Sequence, residues 1–392
     1  MKHHILMPVL WLLACSSYAQ PIGWQHLDLK SDHFFGISTS KAYSELLQNK
    51  KATTTIVAII DNGIDTAHQD LRNIIWTNPK EIARNGIDDD KNGYPDDVHG
   101  WNFSSPVNNN PQAGQYVSFN KDASGPSMPG KIASTYGWDI TGSAPLHGTH
   151  IAGIIGAKRN TGTGVQGVAD NVKIMSLRCG TTDQGLADAI RYAADNGAKV
   201  INISLGKESR KGENQVDNAI QYAMNHDVLI VHAAGNEGLD LDKVKRYPNR
   251  NYSGNKAQSA AWIEVGASGW NNDSTLLTAF SNYGKTTVDV FAPGARIFST
   301  TPNNQYAYED GTSMAAPVVA GLAALIRSYY PSLTAPQVKE IIVTSVYKIN
   351  HNVWVDLNGK LGLKPFSETS ISGGVVNAYN ALKMAAERVE VN

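Results

Sequence analysis

Four short stretches of this chain carry side chains suited to acyl chemistry. Gly311-Thr312-Ser313-Met314-Ala315-Ala316-Pro317 sets a serine between a glycine turn and an apolar helix that continues through Val318, Val319, Leu322, Leu325 and Ile326. The first turn of a helix offers unbonded backbone N–H groups and the positive end of its dipole, so a serine there sits where an oxyanion would be stabilised. The same residues also read as an ordinary N-capping Ser or Thr. Upstream, Asp61-Asn62-Gly63 ends a β-branched run, His147-Gly148-Thr149-His150 puts a histidine at the head of a small-residue helix, and Ala233-Ala234-Gly235-Asn236 sets an amide just after an apolar strand.

A fold has to bring these groups together. Thr54 to Ile60 is almost wholly apolar, the pattern of a parallel strand buried on both faces. It leaves Asp61 at a strand's C-terminal end, where open α/β sheets bind ligands. From Val172 onward strands and helices alternate: strand Val172 to Leu177, helix Gln184 to Asn196 stopped at Gly197, strand Val200 to Leu205, helix Val216 to Met224, strand Val228 to His232. Ala261 to Ala267 and Thr287 to Phe291 supply further strands. Ser313 to Tyr330 is a long helix, Thr334 with Pro336 and Gln337 opens another, and Val376 to Arg388 forms the last. This alternation predicts an α/β protein of three layers, with a mostly parallel central sheet flanked by helices.

The chain order Asp61, His147, Ser313, with Asn236 between the last two, resembles that of the subtilisin-like serine proteases. Asn202-Ile203-Ser204-Leu205-Gly206 and Ala292-Pro293-Gly294 match as well, and the resemblance runs from about Gly36 to Ala381. It implies a subtilisin-like peptidase domain over residues 54–388 and an endopeptidase working through an acyl-enzyme. His147 would be the base, Asp61 would hold its tautomer, and Ser313 would be the nucleophile. Asn236 and the Ser313 N–H would donate to the oxyanion. Polypeptide substrates would lie extended along Ser204, Leu205 and Gly206 and the neighbourhood of Leu177 to Gly180, with pockets lined by Ala233 to Asn236, including Ala234 and Gly235. Asn62, Asp65 and His150 keep structural readings. Cys179, near that channel, carries an expectation of thiol sensitivity. Two other functions fit the same groups: a binding module on a protease fold, and an esterase or amidase.

Asp88-Asp89-Asp90-Lys91-Asn92-Gly93-Tyr94-Pro95-Asp96-Asp97 spaces oxygen donors like the first half of an EF-hand loop. Asp88, Asp90, Asn92, the Tyr94 carbonyl and Asp96 or Asp97 are the expected ligands of a structural Ca²⁺. His99 stands where that loop would supply a bidentate Glu, so Asp97 would have to close the shell; a solvated acidic turn is the alternative. The resemblance adds a weaker site at Asp70 and Asn160.

The net charge of −1 over 392 residues, with no basic or acidic block, speaks against nucleic acid or anionic membrane surfaces as partners. Residues 1–19 have the form of an export signal, with Lys2, an apolar core from Ile5 to Ala14, and Ser17-Tyr18-Ala19 ahead of Gln20. That core is too short to span a bilayer. An extracellular or periplasmic address follows, lipid-anchored if Leu12-Leu13-Ala14-Cys15 is processed as a lipobox. Beyond Cys15 only Cys179 remains, so no internal disulfide is expected. With only residues 20–53 ahead of the first strand and a helix near the C-terminus, neither a propeptide of usual size nor a further C-terminal domain is expected. Residues 80–142 read as an insertion, its Asn-, Gly-, Pro- and Ser-rich part from Ser104 to Gly142 a surface loop. A monomer is expected.

Overall fold

The computed structural model describes residues 20–104, 145–159, 162, 165–180, 182–208, 214–250, 260–357 and 359–390. The expected export signal, nearly all of the Ser104 to Gly142 loop, and Asn160 lie outside the described residues.

Two short helices, α1 (Leu29–Asp32) and α2 (Thr39–Glu45), precede the first strand, β1 (Thr55–Asp61). The order then runs α3 (Leu146–Gly156), β2 (Val172–Arg178), α4 (Asp183–Asp195), β3 (Val200–Ile203), α5 (Gln215–Asn225), β4 (Leu229–Ala233), β5 (Trp262–Ser268) and β6 (Val290–Pro293). A hairpin of β7 (Ile297–Thr301) and β8 (Gln305–Glu309) leads into α6 (Thr312–Tyr329) and α7 (Ala335–Thr344). Last come β9 (Tyr347–Lys348), the hairpin β10 (Asn352–Asp356) and β11 (Leu361–Pro365), β12 (Gly374–Val375) and α8 (Ala378–Glu390).

Eight strands form the central sheet in the order β2-β1-β3-β4-β5-β6-β12-β9, parallel throughout except for the last pair. The chain leaves β1 for β2 on one side and returns to β3 on the other. The topological switch point therefore lies between β1 and β3, the place where open α/β sheets bind ligands at the strands' C-terminal ends.

Strand periodicity sorts the core into two layers. Val57, Ile59, Val200, Leu229, Val231, Ile263 and Val265 face α3 and α6, while Ala58, Ile60, Ile201, Ile203, Ile230 and Trp262 face α4 and α5. On β1 the next residue in the odd series is Asp61, so its carboxylate falls on the α3 and α6 side. The helix α6 is buried from Thr312 to Ser328, which explains why nearly every residue of that segment is apolar or small. The helix α7 opens as expected, with a reciprocal capping box between Thr334 and Gln337.

One expected strand is shorter than its β-branched residues suggest. Thr287 to Phe291 yields a strand only from Val290, because Thr286 and Thr287 are held in a turn by the Asp242 carboxylate, which accepts both hydroxyls at 2.9 Å. Among the described residues no helix is long and apolar enough to cross a membrane.

Candidate active site

Asp61 is 4% exposed at the end of β1, and the Nδ1 of His147 lies 2.8 and 2.9 Å from its two carboxylate oxygens. The first turn of α3 carries His147, and Gly148 allows the approach. A Cβ at Gly148 would stand 2.1 Å from the Gly63 carbonyl oxygen, so any side chain there would push the histidine off the aspartate. The Gly148 N–H donates to Asn62 Oδ1 at 3.1 Å and the Asn62 N–H donates to Asp61 Oδ1 at 2.8 Å, which gives Asn62 its structural role. Asp65 is likewise structural, accepting from the Ala67 and Asn303 N–H groups.

Burial works to lower the His147 pKa, but the charge and hydrogen bonds of Asp61, with the nearby Glu309 carboxylate, outweigh it and hold the imidazole above its ordinary 6.5. The partner histidine behaves oppositely. His150 is fully buried with Nε2 on the Ala307 carbonyl at 3.2 Å, and burial drives its pKa to about 3. It is a packed, neutral histidine.

Ser313 occupies the first turn of α6 on the same face of the sheet as Asp61. Its hydroxyl donates a long, weak hydrogen bond of 3.5 Å to the Ser204 carbonyl, and the Ser204 hydroxyl donates to the Ser313 carbonyl at 3.3 Å. The second bond has a cause four residues on. Pro317 lies inside α6 and has no N–H, so the carbonyl of Ser313 lacks its helical partner and is free for Ser204.

Thr312 orients Asn236. The Oδ1 of Asn236 accepts the N–H and the hydroxyl of Thr312, both at 2.9 Å, while Thr312 Oγ1 accepts the Gly235 N–H at 3.1 Å. With its oxygen so engaged, the amide turns Nδ2 toward Gly311. A Cβ built on Gly311 would lie 3.4 Å from that Nδ2 and 3.5 Å from the Ser313 nitrogen. Two donors thus flank the space that the missing side chain leaves, and the φ of +152° at Gly311 is one that L side chains rarely adopt.

Ala234 is buried with its carbonyl on Asn282, and Leu205 and Gly206 continue from the end of β3. Lys207, just beyond, pairs with Tyr247 as an isolated antiparallel bridge. Cys179 disappoints the expected thiol sensitivity: it is 1% exposed, its Sγ donates to the Gly180 carbonyl at 3.2 Å, and burial pushes its pKa up to about 12.

In the acidic loop, Glu81, Asp90 and Asp97 bring one oxygen each within 4.8 Å of one another. Burial raises both Asp97 and Glu81, and Asp90 and Asp97 respectively add their like charges, a crowding that a divalent cation would relieve. Asn92 joins them, donating to Asp97 at 2.7 Å and to Asp90 at 3.2 Å. Asp88 and Asp96 instead spend their carboxylates on backbone N–H groups, of Asn92 and Gly93 and of Asn85 and Gly86. Tyr94 packs against Trp101, Phe103 and Tyr192 beneath the loop. Asp70 accepts the Tyr306 hydroxyl at 2.7 Å. Sequence reasoning missed Glu81, which lies outside the alternating donors, and Thr312, whose position beside the serine was the available signal.

A doubly wound α/β sheet that carries a buried aspartate holding a part-exposed histidine, and a helix-borne serine on the same face, is the arrangement of the serine hydrolase class. The model of the subtilase family matches residues 52–368, and the chain belongs to that family. The thermophilic serine proteinase of Bacillus sp. (strain AK1) is 41% identical over 216 residues, 53% of this chain and 50% of that protein. Thermitase of Thermoactinomyces vulgaris is 38% identical over 66% of this chain and 84% of its own, and subtilisin DY of Bacillus licheniformis 33% identical over 78% and 88%. The chain thus spans about half the length of the first relative and most of the other two. Among solved structures, a protease of Pseudoalteromonas arctica PAMC 21717 superposes with a TM-score of 0.60 at 26% identity, covering 94% of this chain and 100% of its own.

Proposed function

We propose that this chain is an exported serine endopeptidase that cleaves extended polypeptide segments. The observation that carries the reading is the His147 imidazole seated on both oxygens of a buried Asp61, on the sheet face that also holds Ser313. In this reading the Ser313 Oγ attacks the scissile carbonyl while its proton passes to Nε2 of His147, and Asp61 keeps Nδ1 protonated throughout. The tetrahedral oxyanion settles between Nδ2 of Asn236 and the Ser313 N–H, in the space over Gly311. Collapse breaks the C–N bond, and the leaving amine takes the proton from His147. Water then repeats the sequence on the acyl-enzyme.

Family membership and the Ser204 to Gly206 segment beside the nucleophile support a peptide substrate, since an extended chain can pair there through its backbone. Glu81, Asp90 and Asp97 would hold a structural Ca²⁺ through carboxylate oxygens alone. The ion would neutralise their crowded charge and stiffen the loop, without entering the chemistry.

The test is mass-spectrometric mapping of a fluorophosphonate adduct on the purified chain, with Ser313→Ala as control, followed by comparison of peptide and ester turnover. Labelling confined to Ser313 with peptide cleavage supports the reading. No labelling would make the chain a binding module, and ester turnover without peptide cleavage would make it an esterase.

A further inference from the structure

Two polar side chains stand in the most apolar part of the sheet without a part in the mechanism above. His232 is 2% exposed on β4 and Glu264 is 4% exposed on β5. They are register partners in the parallel pair, on the face that looks toward α4 and α5, away from the reacting groups. Burying such a pair inside an apolar layer is costly unless every polar atom is bonded. Every one is. His232 Nδ1 lies 2.7 Å from Glu264 Oε1, and the Trp262 indole N–H donates to Glu264 Oε2 at 2.8 Å, while that indole lies 5.1 Å from the imidazole centre to centre. The backbone N–H of Glu264 in turn donates to Asp289, which is paired with Arg250 and Lys339.

The remaining nitrogen points at the substrate segment. Nε2 of His232 lies 3.0 Å from the carbonyl oxygen of Leu205. A carbonyl can only accept, so Nε2 carries a hydrogen. In an extended segment successive carbonyls point to opposite sides. Leu205 is drawn inward by His232, and the Ser204 carbonyl faces the other way, onto the Ser313 hydroxyl.

We propose that His232 and Glu264 are positioning residues for the peptide-binding segment: Glu264 sets the imidazole, and the imidazole pins the Leu205 carbonyl so that Ser204 and Gly206 turn their backbone groups to an extended substrate. The proposal rests on the reading that Ser204 to Gly206 pairs with substrate. Without the pin the segment still connects β3 to Lys207, so loss of the bond acts on binding more than on the chemical step.

Two substitutions at one site separate this from simple packing. His232→Asn keeps a donor near the place of Nδ1 for Glu264 and removes the bond to Leu205; His232→Gln places a donor near that of Nε2 and keeps it. With a fluorogenic hexapeptide, His232→Asn is expected to raise KM about tenfold or more, the scale of one lost buried hydrogen bond, with kcat within about threefold. His232→Gln, and Glu264→Gln with its amide NH₂ turned to Nδ1, are expected to keep KM near that of the unchanged protein. Amide exchange of residues 205–207 should quicken at least about tenfold in His232→Asn alone. Equal KM and equal exchange in the Asn and Gln variants would overturn the proposal. If the unchanged protein cleaves no peptide, the peptidase reading fails, while amide exchange still decides for or against the pin. Should His232→Asn fail to fold, imidazole ¹⁵N shifts in the unchanged protein decide: a protonated Nε2 supports the bond to Leu205, and a bare Nε2 refutes it.

Discussion

Asp61→Asn perturbs the site with the least change in shape. Asparagine can offer Nδ2 where the carboxylate accepted, which holds His147 with a bare Nδ1 and leaves its hydrogen on Nε2, the nitrogen that has to receive the serine proton. The charge effect can be scaled from the structure. With Nδ1 at 2.8 and 2.9 Å from the two oxygens, the delocalised charges of an imidazolium and the carboxylate are centred about 4 Å apart. At an effective dielectric of about 20 that separation is worth about 4 kcal/mol. At 1.36 kcal/mol per decade this is roughly a 10³-fold loss of kcat, and the wrong tautomer carries it toward 10⁴. The assay is kcat on an extended fluorogenic peptide across pH. Because Asp61 and Glu309 outweigh burial and hold His147 above 6.5, and the base works neutral, the acidic limb of the unchanged protein should lie above 6.5 and move down in the variant. Stability runs the other way. A histidine whose folded pKa is raised lends its stabilisation fully below 6.5 and loses it as pH climbs through the folded value, so the pair's contribution fades over the interval in which activity grows. A kcat within tenfold of the unchanged protein, or an acidic limb that stays in place, would refute this account of Asp61.

Gly311→Ala should lower kcat by about a hundredfold, because its methyl would touch both Asn236 Nδ2 and the Ser313 nitrogen, and a lowered melting temperature should accompany the strain at a φ of +152°. Stripping Ca²⁺ with a chelator should lower the melting temperature by about 5 °C from a concentration some hundredfold above Kd, and Glu81→Gln should shrink that difference, whereas an unchanged melting curve would remove the metal from the acidic loop. Iodoacetamide should leave Cys179 unmodified and activity intact in the folded protein, with alkylation appearing only on denaturation; rapid native labelling would contradict the burial of the thiol.

The sequence read well wherever local pattern and tertiary environment agreed. The run ending at Asp61 is apolar because both sheet faces are covered, and its period of two fixes which helices the carboxylate meets. The glycine turn before Ser313 was legible, and Thr334 with Gln337 spelled out a cap. What escaped were contacts between elements remote in sequence. Nothing in the spacing of the acidic loop points to Glu81, and nothing adjacent to Val228 to His232 says that a glutamate from the next strand lies 2.7 Å from the imidazole. Cys179 was misjudged for a related reason. Proximity along the chain to a substrate channel says little about exposure, and the side chain at the end of β2 turns into the layer packed by α4.

A proline inside a long helix is a defect that thermostability engineering would ordinarily repair. Replacing Pro317 with alanine would return an N–H to α6 and give the Ser313 carbonyl an internal partner. The same repair would set the new N–H against the Ser204 hydroxyl for that carbonyl, and so loosen one tie between the segment after β3 and the backbone of Ser313. Helix propensity and catalytic alignment therefore pull in opposite directions at this one residue, and a consensus of helix formers would choose against the enzyme.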